Sequence, residues 1–155
     1  MSASSFLKFS IGDQGCCINL SAIHEITSIK EYQKVPKAPP EIKGISEAGG
    51  RILTLIELAT IFKRDPTGTI PFYAVILAPP RSHLALTVYS EFDILDGEPI
   101  PLEEEKGKDD CKRTMPGTPA RLGTESVILL DSDRIIKYCE TKVLESFKIH
   151  RSDPE

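Results

Sequence analysis

The chain has 155 residues, and its 19 Lys+Arg against 23 Asp+Glu leave a formal charge of −4. With 40% hydrophobic and 27% charged residues it has an ordinary globular composition, which excludes collagen, coiled coil and intrinsic disorder. The slightly acidic balance speaks against a nucleic-acid binder, which carries a basic stripe.

A chain of this length can bury about 70% of the surface its unfolded form exposes, so a core needs neither disulfide nor metal. Met1-Ser2-Ala3-Ser4-Ser5 has no basic stretch followed by an apolar one, so no signal peptide is expected. The longest apolar runs, Ala74–Ala78 and Val127–Leu130, fall far short of the ~20 residues of a membrane helix. The expectation is a cytoplasmic protein without membrane insertion. Cys16, Cys17, Cys111 and Cys139 fit that compartment as free thiols, and no Cys-x-x-Cys or His spacing suggests a metal.

In chain order, Leu7, Phe9 and Ile11 alternate with polar residues, and Cys16, Ile18 and Leu20 resume the alternation after Gly12-Asp13-Gln14-Gly15. Residues 6–20 therefore read as a hairpin. Ser21 is placed to cap one helical turn, Ala22–Ile26, and Thr27–Tyr32 reads as extended. Pro36, Pro39 and Pro40 make Val35–Glu41 an ordered loop. The clearest local signal is Gly44–Glu57, two extended arms around Gly49-Gly50, a pair able to supply the positive φ of a tight turn. Glu57 then opens a short helix, Leu58–Phe62, where a carboxylate suits the free N–H groups of the first turn. Lys63–Pro71 is a polar connector.

The second half repeats this plan loosely. Phe72–Ala78 and Leu84–Val88 are strands around Pro79-Pro80-Arg81-Ser82, and Ala120–Leu130 leads through Gly123 to another apolar strand that ends in an acid, Asp131. Two related β halves are the simplest reading. Glu98–Pro119, rich in Pro, Gly and charge, reads as a flexible surface loop. Beyond Asp131, Ile136, Cys139, Val143 and Phe147 recur at helical spacing, an amphipathic helix to about residue 149. Short strands with brief helices imply an antiparallel barrel or a pair of barrels.

Few residues invite chemistry. A thiol enzyme would need a thiolate beside an oriented His, and Cys17 with His24 is the nearest pair. The plainer reading is stronger: Cys16 behaves as a small hydrophobe in the core, and His24, between Ile23 and Ile26, faces solvent. Glu103-Glu104-Glu105 lacks the spaced oxygens of a calcium loop. Gly49-Gly50-Arg51 opens a strand, not a helix, and so is no phosphate cradle. Arg51 and Lys43 form a small positive spot suited to a partner's carboxylate. No catalytic residues, cofactor or metal ligands are assigned, and a non-enzyme is favoured.

As an ordered set, the segments resemble the CheW-like domain of bacterial chemosensory adaptors. The resemblance is carried by the Phe6–Ile26 unit, by Val35-Pro36-Lys37-Ala38-Pro39-Pro40-Glu41-Ile42-Lys43-Gly44-Ile45, and by Gly50-Arg51-Ile52-Leu53-Thr54-Leu55-Ile56-Glu57-Leu58. It continues more loosely through Leu84–Val88 and Val127–Asp131. It implies a mainly β fold of two packed five-stranded SH3-like barrels with short helices and a C-terminal amphipathic helix. Residues 1–155 would form one domain, the first barrel mainly from 6–70 and the second, intertwined with it, mainly from 71–138, with 139–155 as helix and tail. It also implies an adaptor joining a chemotaxis-type histidine kinase to the cytoplasmic tip of chemoreceptors. Ile23, Glu25 and Gly44 match positions that the family uses in partner contacts, and Lys43 and Arg51 complete the expected partner-binding set.

Some positions depart from the family pattern. Glu47-Ala48-Gly49-Gly50 replaces the usual Asn-Leu-Arg-Gly, so Gly49 stands where the family has Arg; Thr54 stands for its Pro and Glu57 for its Asp. A diverged module serving another regulatory partner, for instance in surface motility, is the alternative.

Overall fold

The structure, a computed structural model, describes residues 4–48, 50–64, 71–101 and 117–151, the last of these (145–151) as backbone. The opening hairpin is present as β1 (Ser4–Ile11) and β2 (Gln14–Asn19), with Gly12 at φ 63 in its turn. The helical turn expected over Ala22–Ile26 is instead a 3-10 turn at Leu20–Ala22. The Asn19 side chain, not Ser21, caps it by accepting from the Ser21 N–H at 2.9 Å. Capping two residues earlier ends the turn sooner, and β3 (Ile23–Ile29) begins where helix was expected.

The second hairpin comprises β4 (Ile42–Ala48) and β5 (Arg51–Ile56), with Gly50 at φ 80, followed by α1 (Leu58–Ile61). The next strands are β6 (Phe72–Leu77), β7 (Leu84–Val88), β8 (Asp93–Gly97) and β9 (Ile100–Pro101). β9 falls inside the stretch expected to be a loop, and β10 (Gly117–Leu122) also begins within it; the residues between them, 102–116, lie outside those described. β11 (Glu125–Leu130) leads to α2 (Ser132–Arg151). This helix starts well before residue 139 because Asp131 caps it, its Oδ1 accepting from the N–H groups of Asp133 at 3.0 Å and Arg134 at 3.3 Å.

The strands form a six-stranded sheet, β8-β1-β2-β11-β10-β9, and a five-stranded sheet, β3-β6-β7-β5-β4. Neither follows the division expected at residue 70. The first sheet unites the amino-terminal hairpin with strands after residue 92, while residues 23–88 make the second. Alternation along each strand is legible locally, but which hairpins pair across the chain depends on the parallel contacts β2–β11 and β5–β7. Both sheets share one plan: a hairpin, a parallel neighbour and that neighbour's own hairpin partner, with a helix after the parallel strand (β11 then α2, β5 then α1).

Each sheet curls toward closure. β8 and β9 occupy opposite edges of the larger sheet, yet only Glu98 and Pro99 separate them, a reach of roughly 10 Å. In the smaller sheet, the segment after β3 returns to β4 through reciprocal Gln33–Ile45 backbone bonds of 2.8 Å.

Three apolar clusters follow from the alternation. Phe6, Cys17, Leu122 and Val127 fill the larger barrel, and Ile29, Leu53, Leu55, Phe72 and Ile76 fill the smaller. Their strand neighbours face the other way into a common layer, with Leu7, Phe9 and Cys16 from one sheet meeting Val75, Leu77 and Leu86 from the other. Cys16 and Cys17 thus enter two different cores. Removing such side chains from water contributes about 1.5–3 kcal/mol for each fully buried Leu or Ile, which holds the barrels together.

Candidate functional site

On the β5 and β11 side, the inter-barrel layer is covered by Ile135, Ile136 and Cys139 of α2. On the β3, β6 and β8 side it is open. Ile26 pairs with Val75 and Ile94 with Leu7, so both share the inward-looking face of their sheets. Ile26 is nevertheless 38% exposed, Ile94 55%, and Tyr73, two residues from Val75 on the same face, 45%. The Tyr73 ring meets Phe92 edge-on at a centroid distance of 5.1 Å, bridging the two sheets at this margin. Large apolar side chains exposed in a row that spans two substructures mark a protein-binding surface.

The five residues expected to bind partners do not form one patch. Ile23 pairs with Leu77 and packs partly buried against the common layer, beside the open margin. Glu25 follows it across a β-bulge, and its side chain is exposed, with His24 Nε2 at 3.9 Å. Gly44 is set by a close approach: a Cβ there would collide with the Gln33 carbonyl oxygen and lie 2.9 Å from the Tyr32 ring. It acts through the backbone closure of the smaller barrel.

Lys43 is turned inward, away from any partner's carboxylate. Its Nζ lies 3.5 Å from Glu57 Oε1 and 5.0, 5.4 and 5.5 Å from the ring centroids of Tyr32, Phe72 and Tyr89. Burial opposes its charge, but the hydrogen bond with Tyr89 and the Glu57 carboxylate outweigh that and raise its pKa. Glu57 accepts from the Tyr89 hydroxyl at 2.6 Å and makes no side-chain cap to α1, so the capping role read from the sequence gives way to this cluster. Burial, then the bond to Glu57, pushes Tyr89 up to about 12. Arg51 is exposed at the far end of the β4–β5 ladder, opposite Ala48, so the positive spot joining it to Lys43 does not exist.

The Cys17–His24 pair lacks a nucleophile. Cys17 is fully buried, and burial pushes its thiol up to about 11, the reverse of an activated thiolate. Among the described residues, no three His, Cys, Asp or Glu gather into a metal site, and no helix is long and apolar enough to cross a membrane.

A family model for the CheW-like domain matches residues 5–140. The chain belongs to the CheW-like domain family. A probable chemotaxis protein CheW of Rhizobium etli is 29% identical over 90 residues, 57% of this chain and 58% of that protein. The crystal structure of the scaffolding protein TtCheW from Thermoanaerobacter tengcongensis superposes with a TM-score of 0.68 at 17% identity, covering 84% of this chain and 85% of that one.

For a CheW-like chain, two of the departures acquire geometry. The Thr54 N–H donates to the carbonyl of His83, the residue before β7, at 2.8 Å, a bond that proline could not make. Glu57 supplies the carboxylate that holds Tyr89 and Lys43. Gly49 lies outside the described residues. Sequence reasoning missed Ile26, Tyr73, Phe92 and Ile94, because alternation marks a strand's apolar face without saying where the facing sheet stops.

Proposed function

We propose that this CheW-like chain is a non-catalytic cytoplasmic adaptor that couples a chemotaxis-type histidine kinase to the cytoplasmic tips of chemoreceptors. The observation that carries the reading is the uncovered apolar margin formed by Ile26, Tyr73 and Ile94 across both barrels. Family membership supports the scaffold role. The margin supplies a desolvating centre, and Glu25, next to Ile26 in sequence but on the other face of β3, is an exposed charge at its edge. Ile23 contributes by holding β3 against the common layer, and Gly44 by holding the Tyr32–Gln33 segment.

Co-purification with the kinase and receptor-tip fragments of the same organism tests this. Tyr73→Lys is expected to reduce recovery of at least one partner about tenfold or more, with the melting temperature nearly unchanged. Glu25→Lys should weaken binding with equally little effect on stability, because an exposed charge contributes little to folding. Recovery of neither partner by the unmodified chain would favour the module that serves another regulatory protein. Full recovery with Tyr73→Lys would move the interface elsewhere.

A further inference from the structure

The outward face of the five-stranded sheet extends beyond the inter-barrel layer. Ile45 and Thr54 are direct cross-strand partners, Glu47 and Ile52 form the next pair on the same face, and Thr54 pairs in turn with Leu84 of β7. Two hollows lie on this face. One, of ≈ 320 Å³, is bordered by Ile45, Glu47 and Ile52. The other, of ≈ 490 Å³, runs between Thr54 and Leu84 on the sheet and Cys139, Val143 and Leu144 on α2. The Ile45–Thr54 pair connects them.

The floor of this groove is a sheet and one wall is a helix, and both present uncovered apolar side chains. Ile52 is 63% exposed, Leu144 59% and Val143 42%. Helices pack side by side on a sheet at about 8–10 Å, so the strip beside α2 has the form of a vacant place in a helical layer. Among the described residues its charged border is acidic. Glu31 and Glu47 edge the first hollow and Glu140 the second, with His83 beside it; no described Lys or Arg lines either hollow, and these carboxylates have no ion-pair partner among the described residues.

We propose that this groove docks an amphipathic helix of a partner protein whose apolar row is flanked by Lys or Arg. The apolar row covers Ile45, Ile52 and Leu144, and the basic flank meets Glu31, Glu47 and Glu140. The surface lies on the opposite flank from Ile26 and Tyr73, so the proposal stands apart from the kinase and receptor reading.

Two synthetic helices of about 18 residues test it, sharing one Leu row and differing only in a Lys or a Glu flank. Each is titrated by fluorescence anisotropy against the full chain. The Lys helix is expected to bind at least about tenfold more tightly than the Glu helix. Ile52→Asp, and separately the double reversal Glu47→Lys with Glu140→Lys, should each weaken it about tenfold. The equal charge change of Glu91→Lys with Glu98→Lys should leave binding intact. Leu144→Asp repeats the test from the helix wall if Ile52→Asp lowers the melting temperature. Equal affinity for the two helices overturns the proposal, as does binding that survives both apolar substitutions. A dimer of the unmodified chain in sedimentation that Ile52→Asp dissolves also overturns it, by showing that a second copy takes the groove.

Discussion

The layer between the barrels finishes differently on its two flanks. Beside β5 and β11, the carboxy-terminal helix lays Ile135, Ile136 and Cys139 over it, and Ile135 has no exposed surface. Beside β3, β6 and β8 the same layer, built from the same alternation, runs out with Ile26, Tyr73 and Ile94 in solvent. Alternation does not separate the flanks, since both present apolar side chains at strand spacing, Ile56 and Leu130 on one and Ile26 and Ile94 on the other. The difference is an additional covering element. Where the chain provides one, the apolar face serves folding; where the described residues provide none, the face is available to another molecule.

The covered flank should therefore show the largest response to truncation. Ile135→Ala is expected to destabilise by about 2–5 kcal/mol in urea unfolding, from lost burial and the cavity left behind. A change under about 1 kcal/mol would mean that α2 contributes little to the layer. Gly44→Ala comes next, at about 1–3 kcal/mol, because the added methyl meets backbone, the Gln33 carbonyl, which cannot rotate away. Loss of partner binding with an unchanged unfolding midpoint in Gly44→Ala would show that this glycine contacts partners directly.

Alkaline pH examines the covered interior by a different route. Burial pushes the thiols of Cys16 and Cys139 up to about 12 and that of Cys17 up to about 11, from an ordinary 9.0, and Tyr89 rises to about 12 from 10.0. These groups hold their protons in the folded chain after the unfolded chain has released them. Their contribution is complete below pH 9 and is lost as pH climbs toward 12, by at most about 1.4 kcal/mol per pH unit for each group. Urea midpoints should fall from pH 9 upward. A decline that starts only above pH 10 would implicate Tyr89 and exclude the thiols.

How far the sequence disclosed this arrangement depends on the range of the interactions. β1–β2 and β4–β5 were readable because alternation and a glycine turn act within a few residues, and Asp131 before α2 is the same kind of local signal. The mainly β class, the final helix and the family followed from an ordered set of such segments. The assortment of strands into sheets did not, because the β2–β11 contact joins residues more than a hundred positions apart and leaves no local trace. At the site, Glu25 was legible as a position matching the family pattern, and its charge is exposed. Lys43 was misread because nothing in Ile42-Lys43-Gly44 signals the Tyr32, Phe72 and Tyr89 rings that surround it.

The smallest expected effect on stability is the most informative about the two flanks. Ile26 faces the same layer as Val75, its cross-strand partner, but more than a third of its surface is already in water in the folded state. Ile26→Ala leaves no closed cavity, because solvent fills the space, so the cost should stay below about 1 kcal/mol against the several expected for Ile135→Ala. If the open flank is where partners sit, the order reverses in binding. Burial of Ile26 would then be completed only in the complex, and its truncation should weaken association by a larger factor than it shifts the unfolding equilibrium. Isothermal titration with the receptor-tip fragment and urea unfolding, done on the same two variants, give the four numbers needed. Equal losses in both measurements for Ile26→Ala would make the uncovered margin an ordinary edge of the core.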